Sequence, residues 1–277
     1  MKKLISLLLA ATLLLSLAAC GNSAPSSSTP DVPAPSGSQG AALPAQLQAI
    51  VDRGVLRVGT KVDVPKFGFD NPETGEVEGM EIDLAKALAK KLLGDENKIE
   101  IQGVTAQTRG PLLDNNEVDI IVATFTITEE RKLSFNFTEP YYTDGIGFLL
   151  KKELGAKAIK DLDGKTIGVA QSATTKAALE DKAKELGITF KFSEFASYPE
   201  LKTALSSGRI DAFSVDTSIL RGYVDESTEI LAETFKPQEY GIASKLDNKD
   251  LAAYLDEFVK EMKKDGSLEA LIAKWQL

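Results

Sequence analysis

Two groups of hydroxyl and charged residues carry the chemistry that can be read from this chain. The first is Ala123-Thr124-Phe125-Thr126-Ile127-Thr128-Glu129-Glu130-Arg131. A guanidinium grips a carboxylate through two parallel charge-assisted hydrogen bonds. Thr124, Thr126 and free backbone N–H groups at a helix start would add donors around it. The second group is Thr174, Thr175 and Asp216. An Arg for a carboxylate and an Asp for an ammonium are what an α-amino acid requires. Each residue also has a plainer reading. Arg131 could be exposed on a solvated turn, Thr174 and Thr175 could cap the helix that follows them, and Asp216 could cap a helix over 217–224.

The elements that must position these residues follow from the apolar pattern. Val118 to Val122, broken only by Asp119, reads as a buried strand of a parallel sheet. It ends in Thr124 and Thr126. Glu129 and Glu130 then suit the first turn of a helix, although Thr128 with Arg131 three residues on lacks the acid of a capping box. In an open α/β sheet, ligands bind beyond the carboxyl ends of the strands. Met80 to Leu92 reads as an amphipathic helix with Leu84, Leu88 and Leu92 on its apolar face and Gly94 at its end. Strands are expected near 55–59, 99–104, 145–150, 166–170, 188–195, 209–215 and 240–243. Helices are expected near 44–53, 176–186, 198–205, 249–263 and 267–275. Leu113-Asp114-Asn115-Asn116-Glu117-Val118-Asp119 is echoed by Leu205-Ser206-Ser207-Gly208-Arg209-Ile210-Asp211, and Val58-Gly59-Thr60 by Ile167-Gly168-Val169. The echo suggests two α/β lobes, each offering a polar strand end to a cleft between them.

Composition narrows the function classes. The 277 residues are 43% hydrophobic and 26% charged, which is ordinary for a globular chain of one large or two modest domains. The net charge is −9 and no basic block is present, so nucleic acid is not an expected partner. The chain has no His, which excludes a His-based triad and a His-ligated metal. It has one Cys, so no internal disulfide forms. Neither a metal nor a cofactor is expected. Lys2 and Lys3 precede the apolar run Leu4–Leu17, which is within signal-peptide length and short for a membrane span. It ends in Leu17-Ala18-Ala19-Cys20-Gly21. Residues 20–42, rich in Ser, Pro, Gly and Ala, read as a flexible linker. As a coil such a linker reaches about 25 Å, and fully extended roughly 70 Å.

The segment around Cys20 resembles a bacterial lipobox. That resemblance implies a signal peptide over 1–19, a lipidated Cys20 and a protein tethered to the membrane outside the cytoplasm. An ordinary secretory signal is the alternative. Residues 43–277 resemble the extracytoplasmic solute-binding proteins of ABC importers for polar amino acids. The resemblance rests on Gly79-Met80-Glu81-Ile82-Asp83-Leu84-Ala85, Thr126-Ile127-Thr128-Glu129-Glu130-Arg131 and Phe137-Thr138-Glu139-Pro140-Tyr141-Tyr142. It rests also on Gly164-Lys165-Thr166-Ile167-Gly168-Val169, Gly208-Arg209-Ile210-Asp211-Ala212 and the terminal Leu268-x-x-Leu271-x-x-Lys274-Trp275. Residues 108–115, 123–131 and 237–241 look most like the aspartate/glutamate-binding members.

The resemblance implies an α/β, two-lobed type II periplasmic-binding-protein fold with the ligand cleft between lobes. Lobe 1 would be residues 43–143 and 237–277, and lobe 2 residues 144–236, hinged near Thr143–Asp144 and Phe235–Pro237. Arg131 would take the α-carboxylate, helped by Thr124, Thr126, Thr174 and Thr175, and Asp216 the α-ammonium. Lys61 and Arg109 fall where acidic-amino-acid binders place their side-chain carboxylate ligands; both could instead be surface charges. Where many relatives have an aromatic lid this chain has Val64, leaving Phe67 or Tyr240 to supply that face. Ala173 replaces a family Gly, a mild change if its φ is negative. The implied function is a monomeric, lipid-anchored receptor that closes on aspartate or glutamate and delivers it to an ABC importer, without catalysis. A dehydratase-like enzyme acting on small acids, or a surface adhesin, are the other readings of the same fold.

Overall fold

The computed structural model describes residues 43–277. The expected signal segment, Cys20 and the linker lie outside the described residues.

Two sheets organise the described chain. The first runs, in spatial order, Ile99–Gly103, Leu56–Thr60, Ile120–Val122, Ala243–Lys245 and Phe135–Phe137. Its first three strands are parallel; Ala243–Lys245 runs antiparallel to both its neighbours. The strand expected to sit in a parallel sheet therefore lies at the point where the sheet turns mixed. The second sheet runs Lys191–Phe195, Thr166–Ala170, Ala212–Asp216, Tyr142–Lys151 and Thr228–Ile230, with Phe235–Tyr240 also paired to Tyr142–Lys151. A small antiparallel sheet of Asp63–Val64, Gly68–Asn71 and Glu76–Glu78 flanks the first.

The single strand expected at 240–243 is two. Phe235–Tyr240 pairs with the start of Tyr142–Lys151, and Ala243–Lys245 belongs to the first sheet. The break falls at Gly241, where an added Cβ would lie 2.9 Å from Ile127 Cδ1. Tyr142–Lys151 and Phe235–Tyr240 pair as an antiparallel ribbon, from which the chain passes through Gly241 into the first sheet. Lys236 sits in this ribbon with φ of 48°, beside a shift in register between Phe235 and Pro237.

The helices pack where their apolar faces require. In Met80–Leu93 the buried positions are Met80, Ile82, Leu84, Ala85, Leu88 and Ala89, with the acid Glu81 among them. Burying each of the large side chains stabilises by about 1.5–3 kcal/mol. Gly79, with φ of 141°, starts this helix against Phe67, whose carbonyl oxygen would be 2.1 Å from a Cβ at Gly79. Only glycine permits that approach, and the Glu81 N–H donates to the same carbonyl at 2.9 Å.

The echo between the halves has a physical content. Asp119 accepts the Arg57 N–H at 2.8 Å while its own N–H donates to Arg57 O at 2.9 Å. Asp211 does the same with Thr166, at 2.8 Å in both directions. Each aspartate pins the register of its strand against the neighbouring strand. Gly59 and Gly168 are matched too: a Cβ would lie 2.5 Å from Ile121 Cδ1 in one and 2.4 Å from Ile210 Cδ1 in the other.

Candidate functional site

The chain leaves strand Ile120–Val122 through Ala123, buried like its neighbours, and turns at Thr124 with φ of 44°. A left-handed conformation at a β-branched residue is strained and needs support from its surroundings. Glu81 supplies part of it. The carboxylate is fully buried, and its Oε1 accepts the Thr124 N–H at 2.6 Å and the hydroxyl of Tyr141. On the other side of the turn, Arg109 Nη1 donates to Ala123 O at 2.7 Å and to Thr124 O at 3.2 Å. Its guanidinium lies 4.0 Å from the centre of the Phe125 ring. Arg109 is 4% exposed and is not a surface charge.

Arg131 lies in a short helix, Glu129–Lys132, whose N-cap Thr128 accepts the Arg131 N–H at 3.1 Å. Its guanidinium folds back over Phe125, 4.7 Å from the ring centre, and donates to Thr126 O at 2.7 Å. It also reaches Ser172 O at 3.3 Å in the second lobe. Burial, with the charge of Arg109 beside it, brings Arg131 down to about 9, still a cation at neutral pH. Arg131, Thr126, Thr128, Ser172, Thr174 and Gln238 line a groove of about 610 Å³. Lys61, Arg109, Thr124, Thr175, Asp216 and Tyr240 do not line it; they are buried.

Thr174 and Asp216 stand at helix N-caps, yet neither side chain caps. The Thr174 hydroxyl donates to Gln238 Oε1 at 2.8 Å, on the antiparallel ribbon. Asp216 accepts the hydroxyl of Tyr240. Burial pushes the Asp216 carboxyl up to about 7, against the opposing pull of Tyr240, Arg109 and Arg131. Thr175 is buried at the first turn of helix Thr175–Leu186. Positive φ in this loop falls on Ser172, not on Ala173, so the missing glycine costs no backbone strain.

Lys61 is buried and ion-paired with Asp63 at 2.9 Å. Its ammonium stands 4.6 Å above the ring of Tyr198, which belongs to the helix Tyr198–Ser206 of the second lobe. The Asp63 carboxylate accepts the Tyr198 N–H at 3.4 Å, and Asp63 O accepts the hydroxyl of Tyr223. Pro65 meets Gly222 in the same place. The lobes thus touch on both sides of the site, through Arg131 with Ser172 and through Lys61 and Asp63 with Tyr198 and Tyr223. Phe67 and Tyr240 are fully buried and pack edge to face at 6.1 Å, with Tyr142 stacked on Tyr240 at 5.9 Å.

Sequence reasoning missed Glu81, Tyr141, Asp63 and Tyr198. Glu81 had a signal: an acid on the buried face of an amphipathic helix, three and four residues before Leu84 and Ala85. Tyr141 and Tyr198 are brought in by contacts distant in sequence, and Asp63 stands two residues from Lys61, its ion-pair partner.

A profile described as "Bacterial extracellular solute-binding proteins, family 3" matches residues 56–277. The chain belongs to that family. The solute-binding protein is 44% identical over 207 residues to a glutamine-binding protein of Geobacillus stearothermophilus, covering 74% of this chain and 78% of the relative. It is 37% identical over 283 residues to the ABC transporter glutamine-binding protein GlnH of Bacillus subtilis (strain 168), covering 99% and 97%. Among solved structures it resembles an ancestral arginine-binding protein bound to arginine, with a TM-score of 0.72 and 37% identity over 80% of this chain and 98% of the other. The fold is the two-lobed type II periplasmic-binding-protein fold expected from the sequence. No helix among the described residues is long and apolar enough to cross a membrane.

Proposed function

We propose that this solute-binding protein is the receptor of an amino-acid ABC importer and closes on an acidic amino acid, aspartate or glutamate. The names of its relatives support amino-acid delivery to a transporter rather than catalysis. Arg131 grips the α-carboxylate, with Thr124, Thr126, Thr174 and Thr175 as the surrounding polar groups, and Asp216 holds the α-ammonium. Lobe 1 comprises residues 43–143 and 237–277 and lobe 2 residues 144–236; the strand pairing across the antiparallel ribbon supports this division. Cys20 carries a lipid that anchors the monomer outside the cytoplasm.

The observation that carries the acidic preference is Arg109. It is a buried cation with Nε unpartnered among the described residues, close enough to Arg131 for its charge to pull the Arg131 guanidinium down. A ligand carboxylate would satisfy it through a charge-assisted bond. Calorimetry on wild type and Arg109→Ala with aspartate, glutamate, asparagine and glutamine tests this. The variant should lose the acids much more than the amides. An unchanged acid-to-amide ratio would remove Arg109 from side-chain recognition.

Glutamine is the second reading. The Lys61–Asp63 pair favours it, because Lys61 then brings no free charge to meet an acidic side chain. The names of the two glutamine-binding relatives point the same way.

A further inference from the structure

Glu81 is used by neither reading above. It is wholly buried, and only one of its oxygens is occupied: Oε1 accepts the Thr124 N–H and the Tyr141 hydroxyl, while Oε2 has no partner among the described residues. Thr124 Oγ1, Thr60 Oγ1 and Arg109 Nε are buried and unpartnered as well. Arg109 is joined to Glu81 through one residue, since the peptide groups of Thr124 donate to Glu81 and accept from Arg109. Unpaired buried polar atoms are costly and uncommon. Three of them, on Glu81, Thr124 and Arg109, belong to residues joined by hydrogen bonds at one turn, where a polar ligand group would complete them. The set contains a donor, Arg109, and an acceptor, Glu81.

That combination takes a carboxylate when Glu81 is protonated and its O–H donates, and a carboxamide when Glu81 is ionised and accepts from the NH2. A carboxylate offers two acceptors and would meet ionised Glu81 as a like charge. We infer that Glu81 is the residue that discriminates acid from amide ligands: ionised, its Oε2 accepts an N–H of a carboxamide, and it admits a carboxylate only after taking a proton from solvent. The inference rests on the proposed binding mode, with the ligand side chain at Arg109.

The groups facing Glu81 are Tyr141, Arg109, Lys61 and, from the second lobe, Tyr198. Burial raises the Glu81 carboxyl to about 7, more than the bonds from Tyr141 and Thr124 and the charges of Arg109 and Lys61 lower it. Protonation at physiological pH is therefore within reach. Binding an acid then takes up a proton, and the acid loses affinity as pH rises through 7, while the amide does not. Asp216 titrates in the same range, but it meets the α-ammonium of every ligand, so its effect cancels in a ratio of affinities.

The experiment is a calorimetric comparison of glutamate with glutamine, and of aspartate with asparagine, at pH 5.5 to 8.5. In the wild type the acid-to-amide affinity ratio should fall about 30-fold or more across this range, at about tenfold per unit above pH 7. Glu81→Gln keeps an oxygen for Thr124 and Tyr141 and turns an NH2 toward the ligand. Its ratio should be constant within threefold and, at pH 8.5, at least tenfold higher than that of the wild type. Repeating the glutamate and glutamine titrations in buffers of different ionisation enthalpy should show glutamate taking up more protons than glutamine in the wild type, and no difference between the two ligands in the variant. A wild-type ratio constant within threefold, or a variant that keeps the wild-type slope, overturns the inference. Failure of the wild type to bind any of the four ligands overturns the ligand reading and this inference together.

Discussion

Replacing Tyr240 with Phe removes one hydroxyl and leaves the ring that packs on Phe67 and Tyr142. The hydroxyl donates to Asp216, which burial already holds at about 7. A hydrogen bond to a charged group contributes about 1.5–3 kcal/mol. Its loss disfavours the ionised form, and at 1.36 kcal/mol per unit the carboxyl rises by about one to two units. If Asp216 must be ionised to hold the α-ammonium, affinity scales with its ionised fraction. That fraction at pH 7 drops from about one half to between about a tenth and a hundredth. Tyr240→Phe should therefore weaken glutamine about 5- to 50-fold at pH 7 and less than about fivefold at pH 8.5. The wild type should itself lose at least about tenfold per unit below pH 7. Calorimetric titration of both proteins from pH 6 to 8.5 reads these slopes. A wild-type affinity that stays level below pH 7, or a variant whose loss is the same at every pH, refutes the reasoning.

Three further outcomes are expected. Arg131→Ala should weaken every amino-acid ligand about 150- to 4,000-fold by calorimetry, since a desolvated carboxylate left without its partner costs about 3–5 kcal/mol; retention within threefold would move the α-carboxylate elsewhere. Gly222→Ala puts a Cβ 2.9 Å from Pro65 across the cleft, so overpacking of about 1–3 kcal/mol falls on the closed form alone. All ligands should weaken by the same factor, about 5- to 150-fold, with the ligand-free melting temperature little changed and a larger radius of gyration in the presence of ligand by small-angle scattering. Cys20→Ser should release the protein from the membrane fraction with ligand affinity unchanged; a variant still membrane-bound after a high-salt wash contradicts the lipid anchor.

Much of this molecule is legible because its signals are local. Leu84, Leu88 and the closing Gly94 announce the helix Met80–Leu93, and the apolar run ending in Thr124 announces a strand that stops at a polar turn. Two aspartates at matching offsets, Asp119 and Asp211, are legible as an echo, and the structure gives them the same work on the neighbouring strand. Partnerships are not legible. Nothing near Lys61 in a sequence window says that its ammonium lies over Tyr198, and nothing near Glu81 says that it holds Thr124. The strand expected at 240–243 failed for a related reason. Its apolar residues belong to two different sheets, and only the tertiary arrangement shows that the chain changes partner at Gly241.

The placement of Ala243–Lys245 inside the first sheet has a consequence for how the molecule is made. This strand separates Ile120–Val122 from Phe135–Phe137, so the first sheet lacks its middle until the chain has gone through the second sheet and come back. During synthesis or export the second lobe, built almost entirely from one continuous stretch, can assemble as soon as Phe235–Tyr240 has emerged. The first lobe meanwhile holds a sheet with an unpaired edge beside Ile121, and its helices Lys249–Asp265 and Ser267–Lys274 are last to arrive. Pairings so distant in sequence are slow to form, and an unpaired strand edge exposed meanwhile is open to association with other chains. In a chain that emerges from its N-terminus the second sheet can therefore be complete before the first, and the half that carries Arg109 and Arg131 lacks a central strand until Ala243–Lys245 has emerged.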